Sequence, residues 1–274
     1  MEIVEILFRN QDIDVNEVGD RSDVTLLHLA AQGGNLEIVK YLVNKGADTN
    51  ATNNEVGVKA IHIATLNGDL DVVKYFLESG MSIGDVDIVG ATLLHYTAIT
   101  GRVAVAQYLI EQKTDLLDAP SLSGDTPIHI AARDGHPGVV KLLLSSGATY
   151  DAVNLKGQKP FDFTENLAIK ELLVSAENLF KAVTENNVSR VEIMSAENMI
   201  ILNVKQTNNL SLLHLATLNG FELICEILLK NKSNPNTIGR DGILKLYRFF
   251  RKFINSKRSV WEQIIQYLST PEVK

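Results

Sequence analysis

Six histidines and one cysteine are the residues of this 274-residue sequence best suited to proton transfer, metal binding or nucleophilic attack. His28 sits inside an apolar run, Thr25-Leu26-Leu27-His28-Leu29-Ala30. A histidine so placed could be a general base, a metal ligand or a packed scaffold residue. Its spacing decides between them. His28, His62, His95 and His129 are separated by 34, 33 and 34 residues, and His214 stands in the same kind of segment, Ser211-Leu212-Leu213-His214-Leu215-Ala216-Thr217. A glycine follows each by six positions, at Gly34, Gly68, Gly101, Gly135 and Gly220, and the sixth histidine, His136, directly follows one of these glycines. Two histidines sharing a zinc must each bring a nitrogen to about 2.0–2.1 Å from it. Packed helices lie about 8–10 Å apart, so equivalent histidines one repeat apart are too distant to share an ion. No cysteine or second histidine stands beside them in sequence. The expected role is to hydrogen-bond backbone in the turns and tie one repeat to the next, where loss of such a buried bond costs about 1–3 kcal/mol.

Other chemistry is equally hard to place. No phosphate-binding G-x-x-x-x-G-K-[ST], H-E-x-x-H or G-x-S-x-G pattern occurs. Carboxylates fall mostly at turns, as at Asp48, Asp85 and Asp151, where solvated acids are the default. Cys225 takes the helix position that Lys40 takes elsewhere; it is expected to be partly exposed at best, with no histidine on its helix to activate it. No catalytic residues, cofactor or metal are expected. A single cysteine allows no intrachain disulfide, Met1-Glu2 opens no secretory signal, and no apolar stretch is long enough to span a bilayer, so a soluble, cytoplasmic protein is expected.

The elements that must position these residues recur with them. After each glycine comes an amphipathic segment, at 37–43, 71–77, 103–110, 138–144 and 222–229. In the first, Ile38, Val39, Leu42 and Val43 fall on one helix face. Thr25, Thr92 and Thr126 are suited to cap the N-termini of the histidine helices, Pro127 fits a first helical turn, and the glycines suit left-handed caps. Several units end in turns such as Gly46-Ala47-Asp48-Thr49-Asn50 and Gly147-Ala148-Thr149-Tyr150-Asp151. This pattern resembles the ankyrin repeat: a β-turn, T-P-L-H-x-A opening a first helix, a glycine turn and a second helix. The resemblance implies an all-α solenoid of helix-turn-helix repeats with β-turn fingers, stabilised by neighbour interfaces because one helix pair cannot bury its own faces.

The period also shows where the stack changes. Residues 2–8 match a second helix and 12–16 the turn after it, so the chain opens on a partial repeat, either a cut from a longer protein or a degenerate cap. Repeats follow near 20–52, 53–86, 87–120 and 121–153, then a degenerate unit at 154–175 in which Asp162 replaces the histidine. Phe180 takes the histidine position next, 34 residues before His214 but 18 after Asp162. This phase break near 160–185 divides the chain into a first block, 1–175, a second block, 176–242, and a helical C-terminal cap, 243–274. Ile169, Leu172, Leu173, Ala176, Leu179, Phe180 and Val183 keep a helical stripe across the break. Either one long helix bridges the blocks, or two helices meet near Ser175.

Charge divides the same way. Residues 1–176 carry 13 Lys and Arg against 24 Asp and Glu, a balance of −11; residues 177–274 carry 13 against 9, a balance of +4. The first part is a poor general binder of nucleic acid, and none is expected. In the cap, Lys245, Arg248, Arg251, Lys252, Lys257 and Arg258 accompany an apolar face of Ile243, Leu246, Tyr247, Phe250, Phe253 and Ile254. That is a solvated cap or, alternatively, a basic amphipathic element for a membrane surface or acidic partner.

By resemblance, function belongs on the β-turn tips and the concave ends of the first helices. The tips are Arg21, Ser22 and Val24; Glu55, Val56 and Val58; Ile88 and Val89; Leu122, Ser123 and Asp125; Leu155 and Lys156. The helix ends add Gln32, Leu66, Asn67, Ile99, Thr100, Arg133 and Asp134. Val56, Val58, Ile88, Val89, Leu122, Leu155, Leu66 and Ile99 are apolar. A run of such residues would form an exposed patch that marks an interaction site, unless some fold under neighbouring turns and pack. Flanking acids, Glu55, Asp87 and Asp125, suggest a protein partner with an apolar stripe edged in positive charge. A monomeric interaction module or adaptor is expected. The Lys, Asn and Ile usage is reminiscent of ankyrin proteins of intracellular bacteria, for which a fragment of a larger effector and a host-cytosol location would follow.

Overall fold

A computed structural model describes residues 14–18, 23–53 and 56–234. Among these residues the secondary structure is helical, with isolated β-bridges in the turns. Four helix pairs follow the repeat: α1 (Leu26–Gln32) with α2 (Leu36–Asn44), α3 (Ala60–Asn67) with α4 (Leu70–Glu78), α5 (Leu93–Thr100) with α6 (Val103–Gln112), and α7 (Pro127–Arg133) with α8 (Pro137–Ser145). First helices pack on first helices, α1 to α3 to α5 to α7, and second helices on second helices. The fold is the ankyrin solenoid that the resemblance implies.

Local chemistry sets these boundaries. Thr25, Thr92, Thr126 and Ser211 are the N-cap residues of their helices. Pro127 occupies the first helical turn of α7, where a missing N–H costs nothing. Lys59 departs from the threonine pattern. Its ammonium instead reaches Asp85 at the end of the same repeat at 2.8 Å and Asn50 at 3.0 Å. Gly68 and Gly101 close α3 and α5 at φ of 85° and 72°. Space as well as φ requires glycine there, because a Cβ would lie 2.6 Å from Arg102 Cδ at Gly68 and 2.7 Å from His136 Nδ1 at Gly101. In α2, Val39 and Leu42 are buried, while Ile38 and Val43 pack half-buried at the margin of the core.

The degenerate repeat has a 3₁₀ turn at Pro160–Phe163 in place of a first helix, and this turn packs on α7. One continuous helix, α9 (Leu167–Thr184), then crosses the phase break, so the bridging alternative describes the chain and no turn falls near Ser175. All seven stripe residues from Ile169 to Val183 are buried. The second block continues with α10 (Val188–Glu197), α11 (Leu212–Leu218) and α12 (Glu222–Lys230). A single hydrophobic cluster runs from Leu94 through Phe180 to Leu228, and Tyr150 stacks on Phe180 at 5.4 Å. The 175/176 boundary therefore lies inside a helix whose two halves share this core.

The turn stack shows how the break is accommodated. Regular neighbours bond turns about one repeat apart: Asn16 Nδ2 donates to Gly46 C=O (3.2 Å), the Thr149 N–H to Asp118 Oδ1 (2.7 Å), and the Asn234 N–H to Asn203 Oδ1 (2.7 Å). Across the break Asn203 Nδ2 donates to Ser145 C=O at 3.0 Å, a separation of 58 residues. The Lys205 N–H donates to Ala148 C=O (3.2 Å), and the Tyr150 N–H to Lys205 C=O (3.1 Å). The turn of the second block thus stacks on the fourth repeat and skips the degenerate fifth. The segments expected to form an opening helix, 2–8, and a cap, 243–274, lie outside the described residues.

Candidate interaction surface

Geometry decides the chemistry of the histidines. His28 Nδ1 accepts the Thr25 backbone N–H at 3.2 Å and lies 2.8 Å from the Thr25 hydroxyl. With Nδ1 an acceptor, the proton sits on Nε2, which donates to the Val58 carbonyl of the next repeat at 3.0 Å. His95 repeats this between Thr92 and Asp125 C=O (3.0 Å), and His129 between Thr126 and Gln158 C=O (3.2 Å). His62 Nδ1 accepts from the Lys59 N–H at 3.1 Å, while its buried Nε2 makes no well-formed bond to the Asp85 backbone it faces. His136 Nε2 donates to Ile99 C=O at 2.9 Å. Burial holds His28, His62, His95, His129 and His214 below their ordinary pKa, favouring the neutral ring. Rings with both nitrogens engaged in backbone bonds, as in His28, His95 and His129, have none left for an ion or a substrate.

Cys225 is buried. Desolvation pushes its thiol up to about 11, against the Thr217 hydroxyl 3.7 Å away, so it remains protonated and unreactive at neutral pH. Among the described residues no group of three or more His, Cys, Asp or Glu gathers to hold a metal, and no helix is long and apolar enough to cross a membrane.

The fingers carry a different pattern. Asn53, Asp87 and Asn154 close their own turns with side-chain oxygens: Asp87 Oδ1, for example, accepts from the Val89 and Ala91 N–H groups at 2.9 and 2.8 Å. Tyr96 braces the same carboxylate, its hydroxyl donating to Asp87 Oδ2 at 2.8 Å. Each tip is bonded to the one before. The Ile88 N–H donates to Val56 C=O (3.2 Å), Leu122 to Val89 C=O (2.9 Å), and Leu155 to Ser123 C=O (3.0 Å). On this ladder the apolar side chains point outward, with Val56 44% exposed, Ile88 60%, Val89 53%, Leu122 71% and Leu155 79%.

The structure divides the other expected contact residues. Val58 is buried under the finger with Ala91 and Tyr96, so it packs and is not presented. Asn67 and Thr100 stitch repeats together: Asn67 Nδ2 donates to Gln32 C=O (2.9 Å), and Thr100 Oγ1 to Leu66 C=O (2.9 Å). Asp125 is half-buried between Asn154 (2.7 Å) and Ser123 (2.8 Å). Burial opposes its ionisation, but those hydrogen bonds, with His129 and Arg133 nearby, outweigh it and hold the carboxyl below its usual value. Asp87 is likewise half-buried and spent on its own turn, so the acids expected to edge the stripe serve largely as internal fasteners. Gln32, Ile99, Ser123, Arg133 and Lys156 are exposed; Val24, Leu66 and Asp134 are half-buried, the last paired with Arg133 at 2.8 Å. Arg21, Ser22 and Glu55 lie outside the described residues, as do Lys245, Arg248, Arg251, Lys252, Lys257 and Arg258.

Val86 and Val153 were not among the expected contacts, yet both are exposed beside the tips. The signal was available in Val86-Asp87-Ile88 and Val153-Asn154-Leu155: strand alternation turns the outer pair to one side and the turn-closing acid or amide to the other.

A family model for ankyrin repeats, three copies long, matches residues 1–87 and 61–154, more than half of the chain. The chain belongs to the ankyrin-repeat family. This ankyrin protein is 32% identical over 104 residues to human protein phosphatase 1 regulatory subunit 27, covering 38% of this chain and 64% of that one. It is 44% identical over 59 residues to human transient receptor potential cation channel subfamily A member 1, covering 21% of this chain and 5% of the channel. It is 37% identical over 71 residues to the palmitoyltransferase Hip14 of Drosophila melanogaster, covering 26% and 11%. The chain thus spans less than two thirds of these relatives, and the ankyrin repeats are what it is similar to. The matched repeats support a protein-protein interaction module.

Proposed function

We propose that the first-block fingers bind a protein partner along the stripe Val56–Ile88–Val89–Leu122–Leu155, with the concave ends at Gln32, Ile99 and Arg133 as its margin. The observation that carries this reading is the continuity of the exposed apolar tips on a backbone ladder. A rigid row of apolar side chains loses little entropy on binding and gains by leaving water. The partner presents a complementary apolar stripe. The net charge of −11 over residues 1–176 favours basic flanks on that partner and disfavours nucleic acid. The module acts as an adaptor in the cytoplasm.

The test is affinity capture from cytosolic extract with Ile88→Asp/Leu122→Asp against the unaltered chain. Loss of a specific partner with unchanged far-UV dichroism supports the reading; unchanged capture with the fold intact contradicts it. The +4 balance of residues 177–274 favours a second reading, in which 243–258 meets an anionic membrane surface. Co-sedimentation of the intact chain, but not of one lacking 243–274, with phosphatidylserine vesicles would support it.

A further inference from the structure

Among the described residues the finger ladder is open at one end, and its closed junctions show what fits there. At each of three junctions an N–H donates to a carbonyl of the preceding tip, at 3.2, 2.9 and 3.0 Å. At each, the apolar side chain of the donor lies over the glycine of that preceding turn. A Cβ at Gly57 would meet Ile88 Cγ2 at 2.6 Å; at Gly90 it would meet Leu122 Cγ at 3.4 Å, and at Gly124 Leu155 Cγ at 3.1 Å. The fifth finger has the same turn, with Gly157 at φ 77° and Asn154 closing it. Among the described residues nothing lies within 4 Å of a Cβ built at Gly157, and no N–H donates to Lys156 C=O. The next turn in the chain does not supply the missing rung. Thr207 bonds Asp151 instead, its N–H to Oδ1 and its hydroxyl to the carbonyl, both at 2.8 Å.

We propose that Leu155–Gly157 is a docking edge for an extended segment of another protein carrying an apolar residue next to an acidic one. This rests on the finger reading above and names the chemistry at one end of it. By the register of the three closed junctions, the incoming residue donates its N–H to Lys156 C=O and lays an apolar side chain over Gly157 against Leu155, in the manner of strand addition at an unpaired edge. Charge selects the neighbouring residue. Lys156 is exposed at this tip, and Lys159, also exposed, follows the turn, where its backbone N–H donates to Asp162 Oδ2 at 2.7 Å; residues 152–160 themselves contain no acid, unlike the earlier fingers with Asp87 and Asp125. The edge also continues the apolar stripe, so a partner segment lying along the tips can end here, its acidic residue confined to this one tip and its flanks basic elsewhere.

Amide NMR spectra of the full chain, titrated with two capped hexapeptides, test this. One is Ser-Leu-Glu-Leu-Glu-Ser and the other Ser-Leu-Lys-Leu-Lys-Ser. The acidic peptide is expected to shift the Leu155, Lys156 and Gly157 amides saturably and to bind about three- to tenfold more tightly than the basic one, the worth of two exposed ion pairs. Lys156→Glu/Lys159→Glu should reverse the preference. No shift at 155–157, or equal affinity for both peptides, would overturn the proposal. Shifts confined to Ile88–Leu122 would overturn it while leaving the finger reading standing.

Discussion

The two blocks use the same scaffold and differ in what they present. In the first, four fingers end in apolar residues, and consecutive tips are joined by backbone bonds. In the second, the finger at 206–210 ends in Thr207 and Asn208, exposed and polar, and folds down onto Asp151. Ser211 and His214 in the second block repeat the Thr–His cap of the first, at 2.6 Å between hydroxyl and Nδ1, so the capping chemistry is shared. The presenting chemistry is not. In the proposed reading, stability and recognition therefore sit on different residues, the first on helices and histidines, the second on tips that stacking leaves free.

The largest expected effect tests whether the blocks are mechanically one. Phe180 is buried against Tyr150 at the junction, and Phe180→Ala should cost about 3–5 kcal/mol. Because the core is shared, both blocks should melt together in a single shifted transition; a second block that melts alone would restore a true boundary near 175/176. Next, His95→Ala should cost more than His62→Ala by about 1 kcal/mol, since His95 loses bonds on both nitrogens and His62 on one. Urea denaturation of both variants measures the difference, and equal losses would contradict the inter-repeat tie.

A smaller effect is on pH. The folded-state pKa values of the five buried histidines lie below the ordinary 6.5, so the unfolded chain binds more protons near that pH. Stability is fully present above 6.5 and is lost as pH falls through the lowered folded values. The melting midpoint should fall between about pH 7.5 and 5.5, chiefly through the four histidines of the first block. A profile unaltered by His95→Gln and His129→Gln would contradict this. The smallest effect is on stability at the tips, where Ile88→Asp and Leu122→Asp should each change it by no more than about 0.5 kcal/mol.

Repeated spacing made most of the scaffold legible. A glycine six residues after each histidine, and threonine three before most of them, state local geometry that neighbouring repeats then reinforce. The continuous α9 was half-legible: the stripe from Ile169 to Val183 allowed it, but a stripe does not say whether Ser175 is helix or turn. That the second-block turn stacks on the fourth repeat was not legible, because Asn203 and Ser145 are 58 residues apart and nothing local links them. At the tips, residue type identified the apolar stripe but not its fasteners. Val58, Asn67, Thr100 and Asp125 look like Val56, Gln32, Ile99 and Ser123 in sequence, and burial and hydrogen bonding alone separate them.

The central claim is that recognition belongs to the first-block fingers and not to the solenoid at large. The direct measurement is quantitative capture of partners from cytosolic extract by three forms of the full chain: unaltered, Ile88→Asp/Leu122→Asp, and Leu223→Asp on an exposed position of α12 in the second block. The finger variant is expected to lose the partners that the unaltered chain and the α12 variant both retain, with all three equally folded. Equal capture by the finger variant, or equal loss in both variants, would contradict it.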